Sequence, residues 1–354
     1  MHKLERLRKE MLALDVDALL ISKPENRFYI SGFRGSAGTV LITATQAYLL
    51  TDFRYIEQAT NEAPAFEIVR TGQPEKDALK DLVTAQDIKR LGFERDYVTY
   101  AGYEGLKKRL EETQLVPVED VVRKLRMVKD ETEIEHMQAA ANIAEAAFQE
   151  ILPLIQVGRS EAEIALELEI AMRRRGAERL AFPIIAASGP RSSLPHGAPT
   201  DRVLQPGDFL TLDFGAVSGG YCSDMTRTVV LGEPSAKQKE IYDIVLKAQL
   251  EAQAAIKPGL KGGDIDKIAR DIIADAGYGE YFGHGLGHGV GLQVHEGPRA
   301  GRASEDILEP GMVVTIEPGI YIPDFGGVRI EDMVLVTDSG HKNFNHSSKE
   351  LLIL

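Results

Sequence analysis

Leu4, Leu7, Met11 and Leu14 recur at three- and four-residue intervals with charges between them, which predicts an amphipathic helix over residues 3–14. The pattern then shortens. ALLIS (18–22), RFYISGF (27–33), GTVLIT (38–43) and AYLLTD (47–52) are apolar or β-branched runs punctuated by Gly and Asp, and each reads as a strand. PEKDALKDLVTAQ (74–86) and YAGYEGLKKRLEE (100–112) read as helices on either side of a further strand, RLGFE (90–94). This alternation predicts a three-layer α/β domain over residues 1–126.

From residue 121 the pattern becomes helical through residue 152, and the domain junction is expected near Met127, so that residues 127–354 form a second domain. That part carries a weak internal repeat. VGRSEAEIALELEIAMRRRGA (157–177) resembles PGLKGGDIDKIARDIIADAGY (258–278): a glycine opens each segment, a helix follows, and Gly176 or Gly277 ends it. Ser160 and Glu163 have the spacing of a capping box. A helix precedes each copy, over 131–151 and over 236–256, the latter behind the N-cap candidate Ser235. Downstream, PGDFLTLDFG (206–215) mirrors PGMVVTIEPG (310–319), with an acid six residues after the glycine in each, Asp213 or Glu317. The expectation is an α+β domain of two similar halves, each giving helices to one layer and strands to a shared sheet.

Composition narrows the function classes. A formal net charge of −13 argues against nucleic-acid and anionic-membrane partners, which require basic surface. No stretch approaches the roughly 18 uninterrupted apolar residues of a spanning helix. The one cysteine, Cys222, excludes a disulfide framework, suits a cytoplasmic location and reads as a buried small residue.

Two pairs of acids then stand out. LTLDFGAVSGGYCSDMTRTVVL (210–231) reads as two strands joined by a turn within Ser218–Gly220. A turn at Ser218–Gly219 sets Asp213 opposite Asp224; a turn at Gly219–Gly220 shifts the pairing by two and keeps both acids on one face. A loop centred on Asp324 likewise sets Glu317 opposite Glu331, with Arg329 on the face of Glu331. Related halves bring the pairs together, and four converging carboxylates demand cations, because burying them unpaired costs several kcal/mol each. Such a site suits two ions such as Mn²⁺, Co²⁺ or Zn²⁺.

Histidines concentrate in FGHGLGHGVGLQVHEG (282–297). Glycines at every second position from 283 to 291 rule out a stable helix, at roughly 1 kcal/mol each. A zincin helix is thereby excluded, and a phosphate loop lacks its G-x-G-x-x-G and its Lys-Ser/Thr. An extended strand fits, its bare face open to another backbone. His284 and His288 share the other face. His295, an odd seven residues beyond His288, joins them only if the chain bends.

These residues resemble the pita-bread metallopeptidases: prolidase, aminopeptidase P and methionine aminopeptidase. Asp213, Asp224, His288, Glu317 and Glu331 match the family's five metal ligands in order and in their surrounding text, LDFG, SDMTR, GHG, TIEPG and RIED. The resemblance implies that Asp224 and Glu331 bridge two ions, that Asp213 serves one ion, and that His288 with Glu317 serves the other. It assigns His295 and His196, in SSLPHGAP, to the substrate. YISGFRGSAGTVLIT and TDFRY look like the creatinase/prolidase-type N-terminal domain of X-Pro peptidases, and His284, Tyr321 and Arg329 match the proline-specific branch.

The implied activity is hydrolysis of the peptide bond before proline in dipeptides or short peptides, by hydroxide that a two-metal centre generates from water, Mn²⁺ being the first candidate. Glu317 would relay the proton, His295 and His196 would hold the carbonyl oxygen, and His284 would line the proline pocket. Arg329 would orient Glu331 or a nearby carboxylate. A homodimer is implied as well. The competing readings are a methionine aminopeptidase, a two-metal phosphoesterase, for which no cationic clamp is evident, and a peptide-binding protein without turnover. Arg299 and Arg302 are candidates for the proline carboxylate, the contact on which dipeptidase and aminopeptidase differ.

Overall fold

The computed structural model describes residues 3–73, 76–119 and 121–354, and the chain divides into two compact units, Met1–Arg126 and Met127–Leu354.

In the first unit α1 (Lys3–Met11) leads to β1 (Ala18–Ile21), α2 (Pro24–Ser31), β2 (Thr39–Thr43) and β3 (Ala47–Thr51). Then come α3 (Ile56–Glu62), β4 (Glu67–Arg70), α4 (Ala78–Ala85), β5 (Arg90–Glu94), α5 (Tyr100–Arg109), β6 (Gln114–Val118) and α6 (Val121–Met127). Among the described residues the strands form one sheet in the order β4-β3-β2-β1-β5-β6. Every residue of β1 and β3 is buried, as a sheet covered on both faces requires. The α/β expectation therefore holds.

Two details differ from it. RFYISGF is not a strand: Pro24 begins a helix there and Gly32, at φ 80°, ends it by donating its N–H to the Phe28 carbonyl. A Pro start and a left-handed Gly stop outweigh the β propensity of the residues between them. The helix expected over 74–86 is observed as α4 from Ala78, where Asp77 caps it; Pro74 and Glu75 lie outside the described residues.

The second unit opens with α7 (Glu131–Ile151) and α8 (Glu161–Arg174), followed by β7 (Ile185–Ser188), β8 (Phe209–Phe214), β9 (Val217–Ser218), β10 (Tyr221–Cys222) and β11 (Met225–Val230). The expected helical run over 121–152 breaks between α6 and α7 because Asp130 caps a new helix in a complete capping box with Glu133. The second half follows with α9 (Ala236–Ala254), α10 (Gly262–Asp275), β12 (Gly287–Gly289), β13 (Glu296–Ala300) and β14 (Val313–Ile316). It ends with β15 (Gly319–Ile322), β16 (Gly326–Arg329), β17 (Asp332–Val336), β18 (His341–Asn343) and β19 (Leu352–Ile353).

Each half thus pairs two helices with a sheet. Ser160 and Ser235 cap α8 and α9, and Gly176 and Gly277 take positive φ, 99° and 88°, just past α8 and α10. The shared sheet is a point of correction. The strands fall into two main sheets, β19-β11-β8-β7, to which the second half lends only its last strand β19, and β13-β12-β14-β17-β18, and the two meet at the Thr226–Glu331 bridge. Interruption at Glu317-Pro318, opposite Ile330-Glu331, breaks the ladder there, since Pro318 has no N–H to give.

Candidate metal centre

The β9–β10 hairpin turns at Gly219–Gly220, with Ser218 opposite Tyr221 and φ of 59° and 86° at the two glycines, conformations that glycine adopts without strain. Asp213 consequently faces Thr226 rather than Asp224, and Asp224 lies just before β11 on the same face. In the other half the register is that of a loop centred on Asp324: Gly319 opposes Arg329 in β15–β16, and Ile316 opposes Asp332 in β14–β17. Glu317 and Glu331 sit at the interruption between these two ladders, freed from strict strand geometry.

His288 joins the acids from β12. Its Nε2 is 3.3 Å from Glu317 Oε1 and 3.7 Å from Asp224 Oδ2. Its Nδ1 is 3.1 Å from the Gly289 carbonyl, so the ring proton belongs on Nδ1 and the Nε2 lone pair points at carboxylates. Asp224, His288 and Glu331 each offer a ligand atom within 4.8 Å of the other two. Thr226 Oγ1 donates to Glu331 Oε2 at 2.6 Å, Thr315 Oγ1 to Glu317 Oε1 at 3.2 Å, and Arg329 Nη2 to Asp213 Oδ2 at 2.7 Å. The arginine thus serves Asp213 and not Glu331. Asp213 Oδ1, Asp224 Oδ1 and Glu331 Oε1 are buried with no hydrogen-bond partner.

The electrostatics agree with a site built for cations. Burial, then the charges of Glu331, Asp213 and Glu317, pushes Asp224 well above the usual carboxylate range. Burial, then Glu317 and Asp213, does the same to Glu331, and burial pushes Glu317 up to about 8. Burial lowers His288 to about 4, which leaves it neutral and able to ligate. Orphaned carboxylate oxygens facing an imidazole lone pair fit divalent cations, which would satisfy all of them at once.

The centre opens into a cavity of about 510 Å³ that His196, His284, His295 and Arg329 also line. The chain bends as His295 requires: pairing with β13 shifts register between His288 and Gly289, and a turn follows before Glu296. His284 Nε2 lies 2.8 Å from the Tyr321 hydroxyl, which itself accepts from Arg329 Nη1 at 2.9 Å. The hydroxyl proton therefore faces His284, and His284 keeps its own proton on Nδ1, 2.7 Å from the Gly285 carbonyl. The loop bearing His196 is clasped by buried Glu161, which accepts from the Ser188 amide and hydroxyl (both 2.7 Å), the Thr200 hydroxyl (2.7 Å) and Arg191. Arg329 Nη1 also donates to the Pro195 carbonyl at 3.1 Å.

Arg299 and Arg302 are exposed and do not line this cavity. Sequence reasoning missed Thr226 and Thr315, each two residues from an acid on the same strand face, a spacing that parity exposes. It also missed the wall Phe182–Ile185, for which no local signal distinguishes cavity lining from ordinary core. Cys222 is buried against the Leu292 carbonyl, as expected of a packed residue.

Residues 135–338 match the sequence pattern of metallopeptidase family M24, and residues 3–128 that of the creatinase/prolidase N-terminal domain. The chain is 43% identical over 354 residues to the Xaa-Pro dipeptidase of Pyrococcus horikoshii, with 99% of each sequence covered. A solved Xaa-Pro dipeptidase from Bacillus anthracis superposes with a TM-score of 0.97 at 48% identity over 99% of both chains. An X-Pro aminopeptidase from Thermotoga maritima superposes at 0.92 with 40% identity, over 98% of this chain and 100% of that one.

Proposed function

The chain belongs to metallopeptidase family M24, and from that membership we propose that it hydrolyses the peptide bond preceding proline in dipeptides or short peptides. The observation that carries this reading is the meeting of four carboxylates with the His288 Nε2 lone pair around buried oxygens that have no partner. Asp213, Asp224, His288, Glu317 and Glu331 would hold two divalent ions, Mn²⁺ first among the candidates. Bound there, such ions supply a water of lowered pKa and a Lewis acid for the carbonyl.

The protein's own groups do the rest. Glu317 takes the proton that the attacking water gives up and passes it to the proline nitrogen. His295 and His196 donate hydrogen bonds to the reacting carbonyl oxygen. His284 presents its ring face to the proline, since Tyr321 occupies its Nε2. The apolar wall at Phe182–Ile185 suits a pyrrolidine ring. Residues 1–126 serve as the N-terminal domain and residues 127–354 as the catalytic domain, in a cytoplasmic homodimer whose mass light scattering checks. No described helix is long and apolar enough to cross a membrane.

The relatives include both a dipeptidase and an aminopeptidase by name. Arg299 and Arg302 lie outside the cavity, and Arg329, which lines it, is paired with Asp213. Rates on Xaa-Pro, Xaa-Pro-Xaa and Met-Ala substrates test the proposal: turnover confined to Met-Ala overturns it, and the ratio of the first two separates dipeptidase from aminopeptidase.

A further inference from the structure

Lys129 Nζ and Glu296 Oε1 are 3.0 Å apart, and both side chains are 1% exposed. Lys129 lies between α6 and α7, whereas Glu296 starts β13 and directly follows His295. Taking both charges out of water costs several kcal/mol each, and an apolar pair of similar volume often does as well for stability. The position of the pair supplies a further use for it.

The turn that carries His295 back to His288 begins at Val290. Gly291 N–H donates to the Gln293 carbonyl at 3.0 Å, and the Gly291 carbonyl accepts from Cys222 N–H at 2.8 Å. A Cβ on Gly291 would collide with the Glu296 carboxylate, so that carboxylate packs on the backbone where the turn begins. The backbone of Glu296 ends the same turn. Glu296 thus ties the two ends together, and Lys129 holds Glu296, its Nζ donating also to the Met127 carbonyl at 3.2 Å. The same stretch of chain steadies the neighbouring hairpin: the Tyr221 hydroxyl donates to Glu133, and the His136 ring stacks on Tyr221 with planes 5° apart.

We propose that Lys129, acting through Glu296, is a positioning residue for His295, fixing the bend that sets this imidazole against His288 and over the cavity. The assignment rests on the reading of His295 as a substrate-contacting group. Without the ammonium the Glu296 carboxylate is drawn toward water, the turn loosens and His295 leaves its place, while the residues that would bind metal stay where they are.

The test uses full-length protein carrying Lys129→Met, and the double variant Lys129→Met/Glu296→Gln, which removes both charges of the pair and carries the test if the single variant fails to fold. Each is compared with and without His295→Ala. A misplacement on the order of 1 Å costs up to about 100-fold. The expected result is therefore a kcat on an Xaa-Pro dipeptide about 10- to 100-fold lower, with KM nearly unchanged and bound metal retained. In the His295→Ala background the same changes should cost less than about twofold more, because the affected group is already gone. The imidazole NMR signals of His295 should shift and broaden in the Lys129 variants. An equal loss of kcat in both backgrounds, or unmoved His295 signals, overturns the proposal. If the wild-type protein does not cleave Xaa-Pro at all, it is the proposed function that fails, and the His295 signals still decide the positioning role.

Discussion

The imidazoles of His288 and His295 stand 4.2 Å apart, centroid to centroid, with their planes at 63°. A regular strand would have sent them to opposite faces, and a register shift and a turn reverse that. Their surroundings differ: His288 is enclosed by carboxylates, whereas His295 is exposed at the cavity wall.

That difference separates their roles. His288→Ala should abolish Xaa-Pro hydrolysis together with metal binding. His295→Ala should keep its metal and lose about 10²–10³-fold in kcat, the range for losing one oxyanion donor. Metal analysis of the two purified variants beside their kinetics checks this, and equal metal contents would contradict it.

The carboxylates predict an unusual pH dependence for metal-free protein. Burial raises Glu317 from 4.5 to about 8, and Asp224 and Glu331 move the same way. Between those pH values the folded chain holds protons that the unfolded chain has released, so stability should fall as pH rises. Below about 6.5 the buried neutral His284 and His288, lowered to about 4, work the other way, so thermal unfolding of chelated protein should show Tm declining from pH 6.5 to 8, less so in Glu317→Gln, with added Mn²⁺ reversing the decline at pH 8. A rising Tm over this range would contradict the account.

Arg329 donates to Asp213, Tyr321, Thr226 and the Pro195 carbonyl. Lysine keeps the charge and loses the fork. Arg329→Lys should lower kcat/KM by about 10²-fold or more, since it loosens Asp213 and the His196 loop together. Tyr321→Phe, which frees His284 and removes only one of the four partners of Arg329, should cost less. Steady-state kinetics of both variants give the ordering.

The bare face of β12 is needed for close approach. A Cβ on Gly287 would collide with the Thr315 carbonyl, whereas one on Gly283 would have nothing within 4 Å. Gly287→Ala should destabilise by at least about 2 kcal/mol, and Gly283→Ala should stay within about 0.5 kcal/mol. Urea midpoints compare them.

Much of this architecture was legible because it follows local rules. Capping residues mark the starts of α8 and α9, glycine stops mark the ends of α8 and α10, and parity put Asp213 with Asp224 and Glu317 near Glu331. The helix at Pro24–Ser31 reads as a strand in the sequence because its apolar residues suit one and only its ends disclose it. Strand parity made His284 and His288 equals; the partners that distinguish them, Tyr321 for one and the acids for the other, come from distant segments. The Glu161 clasp and the Lys129–Glu296 pair were beyond reach for the same reason, being contacts between residues that no local pattern connects.

Metal removal and return, measured on one Xaa-Pro dipeptide, tests the central claim most directly. Chelated protein should be inactive and regain full turnover as Mn²⁺ approaches about two ions per chain, while Asp224→Ala stays inactive at any Mn²⁺ concentration. Undiminished hydrolysis by thoroughly chelated protein would contradict the account.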